Sequence, residues 1–140
     1  MKKQFLLLAS LLLTLSFSCK NENKAVPQEK TQMQEVIAIH DEVMPKMETI
    51  GKLIGQIEDK IKATDTPEAF MKARQDLRDS NKAMMDWMMR FGDRFDGEEI
   101  MKGKTLSEEK QQLLDEEETK IKALRDQMNT SIKNAEELLK

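Results

Sequence analysis

The chain has 140 residues with a single cysteine, 4% aromatic and 35% charged residues, and a formal net charge of -3. That length gives one small domain, and a balance of interspersed charges with no Lys/Arg-rich stripe excludes nucleic acid as a partner. With no Tyr and one Trp, the core must be built from Leu, Ile, Met and a few Phe, which is the composition of helical bundles and coiled coils.

Lys2 and Lys3 precede an apolar run over residues 5–18, about 14 residues and short of the ~20 that span a membrane. The run stops at Ser18-Cys19. A lone cysteine placed there resembles a bacterial lipobox, with Leu15-Ser16-Phe17-Ser18-Cys19 in place of the common Leu-Ala-Gly-Cys. Residues 1–18 then form a lipoprotein signal peptide. Acylated Cys19 is the membrane anchor, and two or more acyl chains hold it firmly. Cleavage after Ser18 by the small-x-small rule is the alternative, with Cys19 as an incidental thiol. Lys20 follows the cysteine instead of an inner-membrane-retaining aspartate, so the outer membrane is favoured over the inner. Residues 20–30 are polar, carry Pro27 and lack apolar periodicity, which predicts a flexible tether of roughly 20 Å average reach.

Residues 31–140 are expected to form an all-α, antiparallel three-helix bundle of coiled-coil-like pattern. The first helix, about 31–63, carries Met33, His40, Met47, Ile54 and Ile61 seven apart, with Val36, Val43, Ile50 and Ile57 three residues after the first four. Pro45 lies inside it and removes the bond to Asp41, at ~3 kcal/mol if the helix stays straight. Because the heptad keeps its phase, a kink is expected there and not a break.

Thr64-Asp65-Thr66-Pro67-Glu68 predicts a turn, with Asp65 or Thr66 as N-cap of a second helix over about 67–91. Its inward face is Phe70, Ala73, Leu77, Met84, Trp87, Met88 and Phe91, interrupted by a polar layer at Ser80 and Asn81, and Gly92 is placed as its C-cap. Residues 92–104, with three glycines, read as a long loop carrying at most one helical turn at 98–101. Thr105-Leu106-Ser107-Glu108 matches a capping box opening a third helix over about 105–139, with its seam at Leu114, Ile121, Leu124, Met128, Ile132, Ala135 and Leu138. In the acidic run 115–118 only Glu117 faces inward. The last two turns are expected to overhang the first hairpin and expose Leu138 and Leu139 to a partner or a second copy.

An antiparallel hairpin of the first two helices sets His40 level with Trp87 and Met88, and Met44 and Met47 level with Met84 and Met85. His40, Met44 and Met47 share one helix face by i, i+4, i+7 spacing. Thioether and imidazole donors suit Cu(I), so His40, Met44, Met47 and Met88 are the candidate metal ligands. The ordinary alternative is that methionine fills an irregular core, Trp87 anchors it and His40 sits at its boundary. No cofactor is otherwise indicated, since C-x-x-C-H is missing. No catalytic residue is assigned either: His40 is not in an E-x-x-H or H-E-x-x-H arrangement, and the carboxylates fall on polar faces. The chain is therefore expected not to be an enzyme.

His40-Asp41-Glu42-Val43-Met44-Pro45-Lys46-Met47 and Met84-Met85-Asp86-Trp87-Met88 with Phe91-Gly92 resemble a family of small gram-negative lipoproteins labelled "viral A-type inclusion protein". The resemblance spans about residues 39–138. It implies long helices and a lipid anchor, and brings no substrate or cofactor. The expected role is a lipid-anchored cell-envelope bundle that binds or scaffolds an envelope protein or a second copy of itself, with soft-metal binding as the alternative.

Overall fold

A computed structural model describes residues 30–140; the expected signal peptide 1–18, Cys19 and residues 20–29 of the expected tether lie outside the described residues. The described chain is helical, with α1 (Gln32–Val43), α2 (Lys46–Lys62), α3 (Glu68–Arg94), α4 (Gly97–Lys102) and α5 (Glu108–Leu138). The expected all-α bundle is observed. Its three arms are α1–α2, α3 and α5, and α4 sits in the connection between the last two. No helix among the described residues is long and apolar enough to cross a membrane.

Register follows from polar contacts between the arms. Gln32 Nε2 donates to Asp115 Oδ1 at 2.9 Å and Lys46 Nζ to Asn129 Oδ1 at 2.7 Å, so α1–α2 runs parallel to α5 at a constant offset. Ser80 meets Ser131 at 3.1 Å and Arg94 meets Glu117 at 2.8 Å, so α3 runs antiparallel to α5. The core between them is Met33, Val36, Val43, Ile50, Leu53 and Ile57 from the first arm, Ala73, Leu77, Met84, Trp87 and Phe91 from α3, and Leu114, Ile121, Leu124, Met128 and Ala135 from α5. Of the two heptad rows in the first arm, Val36, Val43, Ile50 and Ile57 are all buried, whereas in the other only Met33 is, and His40, Met47, Ile54 and Ile61 are half-buried. A 3.6-residue helix drifts against a strict seven-residue repeat, so one row carries the core and the other its rim.

Thr31 caps α1 by accepting from the Gln34 N–H, while Gln34 Oε1 accepts from the Thr31 N–H at 3.0 Å. At Pro45 the first arm does more than kink. Its hydrogen-bond ladder stops at Val43 and restarts at Lys46, with the Met47 N–H bonded to the Met44 carbonyl at 3.1 Å. Met44 (φ -55, ψ -43) and Pro45 (φ -61, ψ -24) both keep right-handed helical angles, which is why the apolar phase survives the missing bond.

Three other local expectations are corrected and a fourth is extended. No side chain caps α3: Pro67 occupies the cap position, and the Thr66 N–H turns back to Thr64 Oγ1 at 3.3 Å. The helix also does not stop at Gly92 but continues to Arg94, because Phe95 stacks on Phe91 at 4.9 Å and is buried only if that turn persists. The helical turn expected at 98–101 within the loop is present and longer, as α4: Asp96 Oδ1 accepts from the Glu98 and Glu99 N–H groups, and Gly103 takes the left-handed φ of +67° that ends the helix. The cap of α5 is Ser107 and not Thr105, its Oγ accepting from the Lys110 N–H at 3.3 Å.

The far end differs as well. By the parallel register, the end of α5 at Leu138 is level with Gly55, so α5 does not overhang the first hairpin. Leu138 and Leu139 pack against the core instead.

Candidate functional site

Below Pro45 the arms separate. α2 packs on both α3 and α5, but α1 packs chiefly on α5 and stands off from α3. Side chains from α3 and α4 fill the resulting wedge and leave a cleft of about 240 Å³, lined by Ile37 and His40 of α1, Trp87, Met88, Phe91 and Gly92 of α3, and Ile100 of α4. A Cβ built on Gly92 meets nothing within 4 Å, so this position faces open space.

An aromatic column forms one wall. The His40 and Trp87 ring centroids are 6.0 Å apart at 30°, Trp87 and Phe91 4.8 Å at 25°, and Phe91 and Phe95 4.9 Å at 42°. Offset stacks at such separations are favourable beyond the area they bury. Trp87 is 3% exposed, and its indole N–H has no acceptor. Beyond Phe95 the column ends in charge: Lys110 Nζ lies 6.0 Å from the Phe95 ring centre and donates to buried Glu99 at 2.6 Å. Lys110, and then the Asp96 N–H bonded to the same carboxylate, hold the Glu99 pKa below its ordinary value. The Glu99 and Glu98 N–H groups, with Lys104, do the same for Asp96.

At the mouth, His40 Nδ1 lies 2.9 Å from Asp41 Oδ1, and His40 Nε2 lies 3.3 Å from Met88 Sδ. An ionised carboxylate only accepts, so the Nδ1 position carries the proton and donates to Asp41. Nε2, the other ring nitrogen, faces the thioether. The His40 side chain is 23% exposed. Of the four ligand candidates, the structure thus brings His40 and Met88 together. Met44 and Met47 lie half-buried against the core, Met84 is wholly buried, and Met85 is exposed. Cys19, the proposed lipidation site, lies outside the described residues.

Among the described residues no three His, Cys, Asp or Glu side chains converge as a ligand set. A larger groove of about 390 Å³ between α3 and α5 is lined by Asp76, Asp79, Asp126, Gln127, Thr130, Ser131 and Asn134. Its carboxylates are bound by side chains of their own helices, Asp76 by Lys72 at 2.6 Å, Asp79 by Gln75 at 2.8 Å and Asp126 by Arg125 at 3.0 Å.

Phe95, Glu99 and Arg94 were not readable as site residues, because three nearby glycines and mixed charge spell a loop. The i, i+4, i+8 spacing of Trp87, Phe91 and Phe95 was the available signal. Comparison with protein-family models, curated proteins and solved structures finds no match to this chain, so the reading of its site rests on its own residues.

Proposed function

We propose that this chain is a lipid-anchored cell-envelope bundle, kin to the small gram-negative lipoproteins it resembles, that works by holding a protein partner through the cleft at the tethered end. The observation that carries the reading is the cleft's make-up. Its lining is apolar apart from His40, and the residues next to two of its walls, Met89 and Met101, are 63% and 79% exposed. Flexible, polarizable methionine suits a surface that adapts to an inserted side chain. About 240 Å³ is below the usual range of small-molecule sites but admits one or two side chains of a partner. Acylation at Cys19 would place this end nearest the membrane, since the tether enters α1 at Thr31.

Two measurements test the proposal. Palmitate labelling and membrane fractionation should both be lost in Cys19→Ala; retention of both would remove the anchor. A photo-crosslinking residue at Met89 should give a discrete adduct in cells, while the same residue at exposed Lys52 of α2 gives none. Equal or no labelling from both positions would overturn the binding role.

A further inference from the structure

The geometry points to a Cu(I) site formed by His40 Nε2 and Met88 Sδ, with Asp41 as the residue that positions the imidazole. This does not depend on the protein partner proposed above. When Nδ1–H donates to Asp41 in the neutral ring, Nε2 is left as a donor atom for a cation, 3.3 Å from Met88 Sδ. A soft cation between them turns that contact into two bonds. With metal–nitrogen and metal–sulfur lengths of about 2.0 and 2.3 Å, this separation subtends about 100° at the metal, whereas a linear pair would need about 4.3 Å.

A bent pair calls for a third donor. The sequence offers Met44 for that position, four residues after His40 on the same helix face and half-buried against the core. Two thioethers and an imidazole are neutral and soft, so they favour Cu(I) over Zn²⁺, Mg²⁺ or Ca²⁺. The single charge left on the metal is balanced by Asp41, one hydrogen bond beyond the ring. That is the usual place for a carboxylate behind a metal-bound histidine.

Trp87 supplies the readout, because it is the only tryptophan in the chain and its ring centre lies 6.0 Å from that of His40. The experiment is an anaerobic titration of the full chain in detergent with Cu(I), against a chromophoric Cu(I) chelator, in a Cys19→Ser background so that no thiol competes. The expected result is one equivalent bound with loss of more than half of the Trp87 fluorescence. Met88→Leu should weaken binding more than about 100-fold and abolish the quenching, and Asp41→Asn should weaken it about 10- to 100-fold. Met88→Leu conserves volume and keeps the fold measurable even where His40→Ala does not. The double change Met71→Leu/Met85→Leu, at exposed methionines away from the cleft, should alter nothing. Copper retained by the chelator, copper bound without quenching, or copper bound equally by Met88→Leu would each overturn the site.

Discussion

The two ends of this bundle are built from different materials. Away from the tether, α2, the first half of α3 and the second half of α5 close over aliphatic side chains, Ile50, Leu53, Ile57, Leu77, Met128 and Ala135, with one small polar step where Ser80 meets Ser131. At the tethered end, α1, the end of α3, α4 and the start of α5 close over Trp87, Phe91 and Phe95 and over two buried acids, Glu99 and Glu117. The first is a coiled-coil seam that any similar volumes would fill. The second is a fitted cluster in which rings and ion pairs must all be in place, and it is the end that carries the cleft.

The comparison is sharpened most by Trp87→Ala, which should cost about 3–5 kcal/mol in denaturant unfolding, against about 0.5–1.5 kcal/mol for Ile57→Val in the aliphatic half. A loss at Trp87 no larger than that at Ile57 would mean that the aromatic column is dispensable. Next comes Arg94→Ala. Glu117 is 1% exposed and accepts from Arg94 at 2.8 Å and Lys120 at 2.9 Å, while its second oxygen has no partner. With Lys120 still in place, the expected loss is about 1.5–3 kcal/mol.

In the other half, Ser80→Ala should cost only about 1 kcal/mol, since Ser131 Oγ keeps its bond to the Met128 carbonyl at 3.0 Å. The double change with Ser131→Ala should cost less than the sum of the two single changes, measured as a double-mutant cycle.

The smallest effect separates the ends by pH. Asp96 and Glu99 have pKa values lowered by the backbone and lysine donors around them, so their stabilisation is present above the ordinary carboxylate range and fades as pH falls through the lowered values. Amide exchange on acidification should therefore rise first in α4 and the first turn of α5, and later in α2. Simultaneous loss of protection would erase the distinction.

The same contrast explains what the sequence disclosed. The buried row of the first arm is legible at both ends because seven-residue spacing of Val36, Val43, Ile50 and Ile57 is a direct image of it, and the antiparallel register brings His40 to Met88 as expected. Ser80 was legible as a polar layer, but its partner Ser131 was hidden inside the seam of α5. The tethered end was misread where burial depends on long-range pairing. Gly92, Gly97 and Gly103 argue for a loop, yet only Gly103 adopts the left-handed angle that a glycine is needed for. Glu99 reads as surface charge until Lys110, eleven residues on, is folded against it.

The interrupted ladder at Pro45 also has a mechanical meaning. Under the proposed anchoring, any tug from the membrane enters the molecule at Thr31 and runs along α1. Some of that load leaves at the first turn, where Gln32 donates to Asp115 and Glu118 of α5. The remainder meets a joint with no backbone bond from Pro45 to Asp41, so tension is not transmitted rigidly into α2. Load on α1 would therefore reach the side of the cleft before it reaches the aliphatic half.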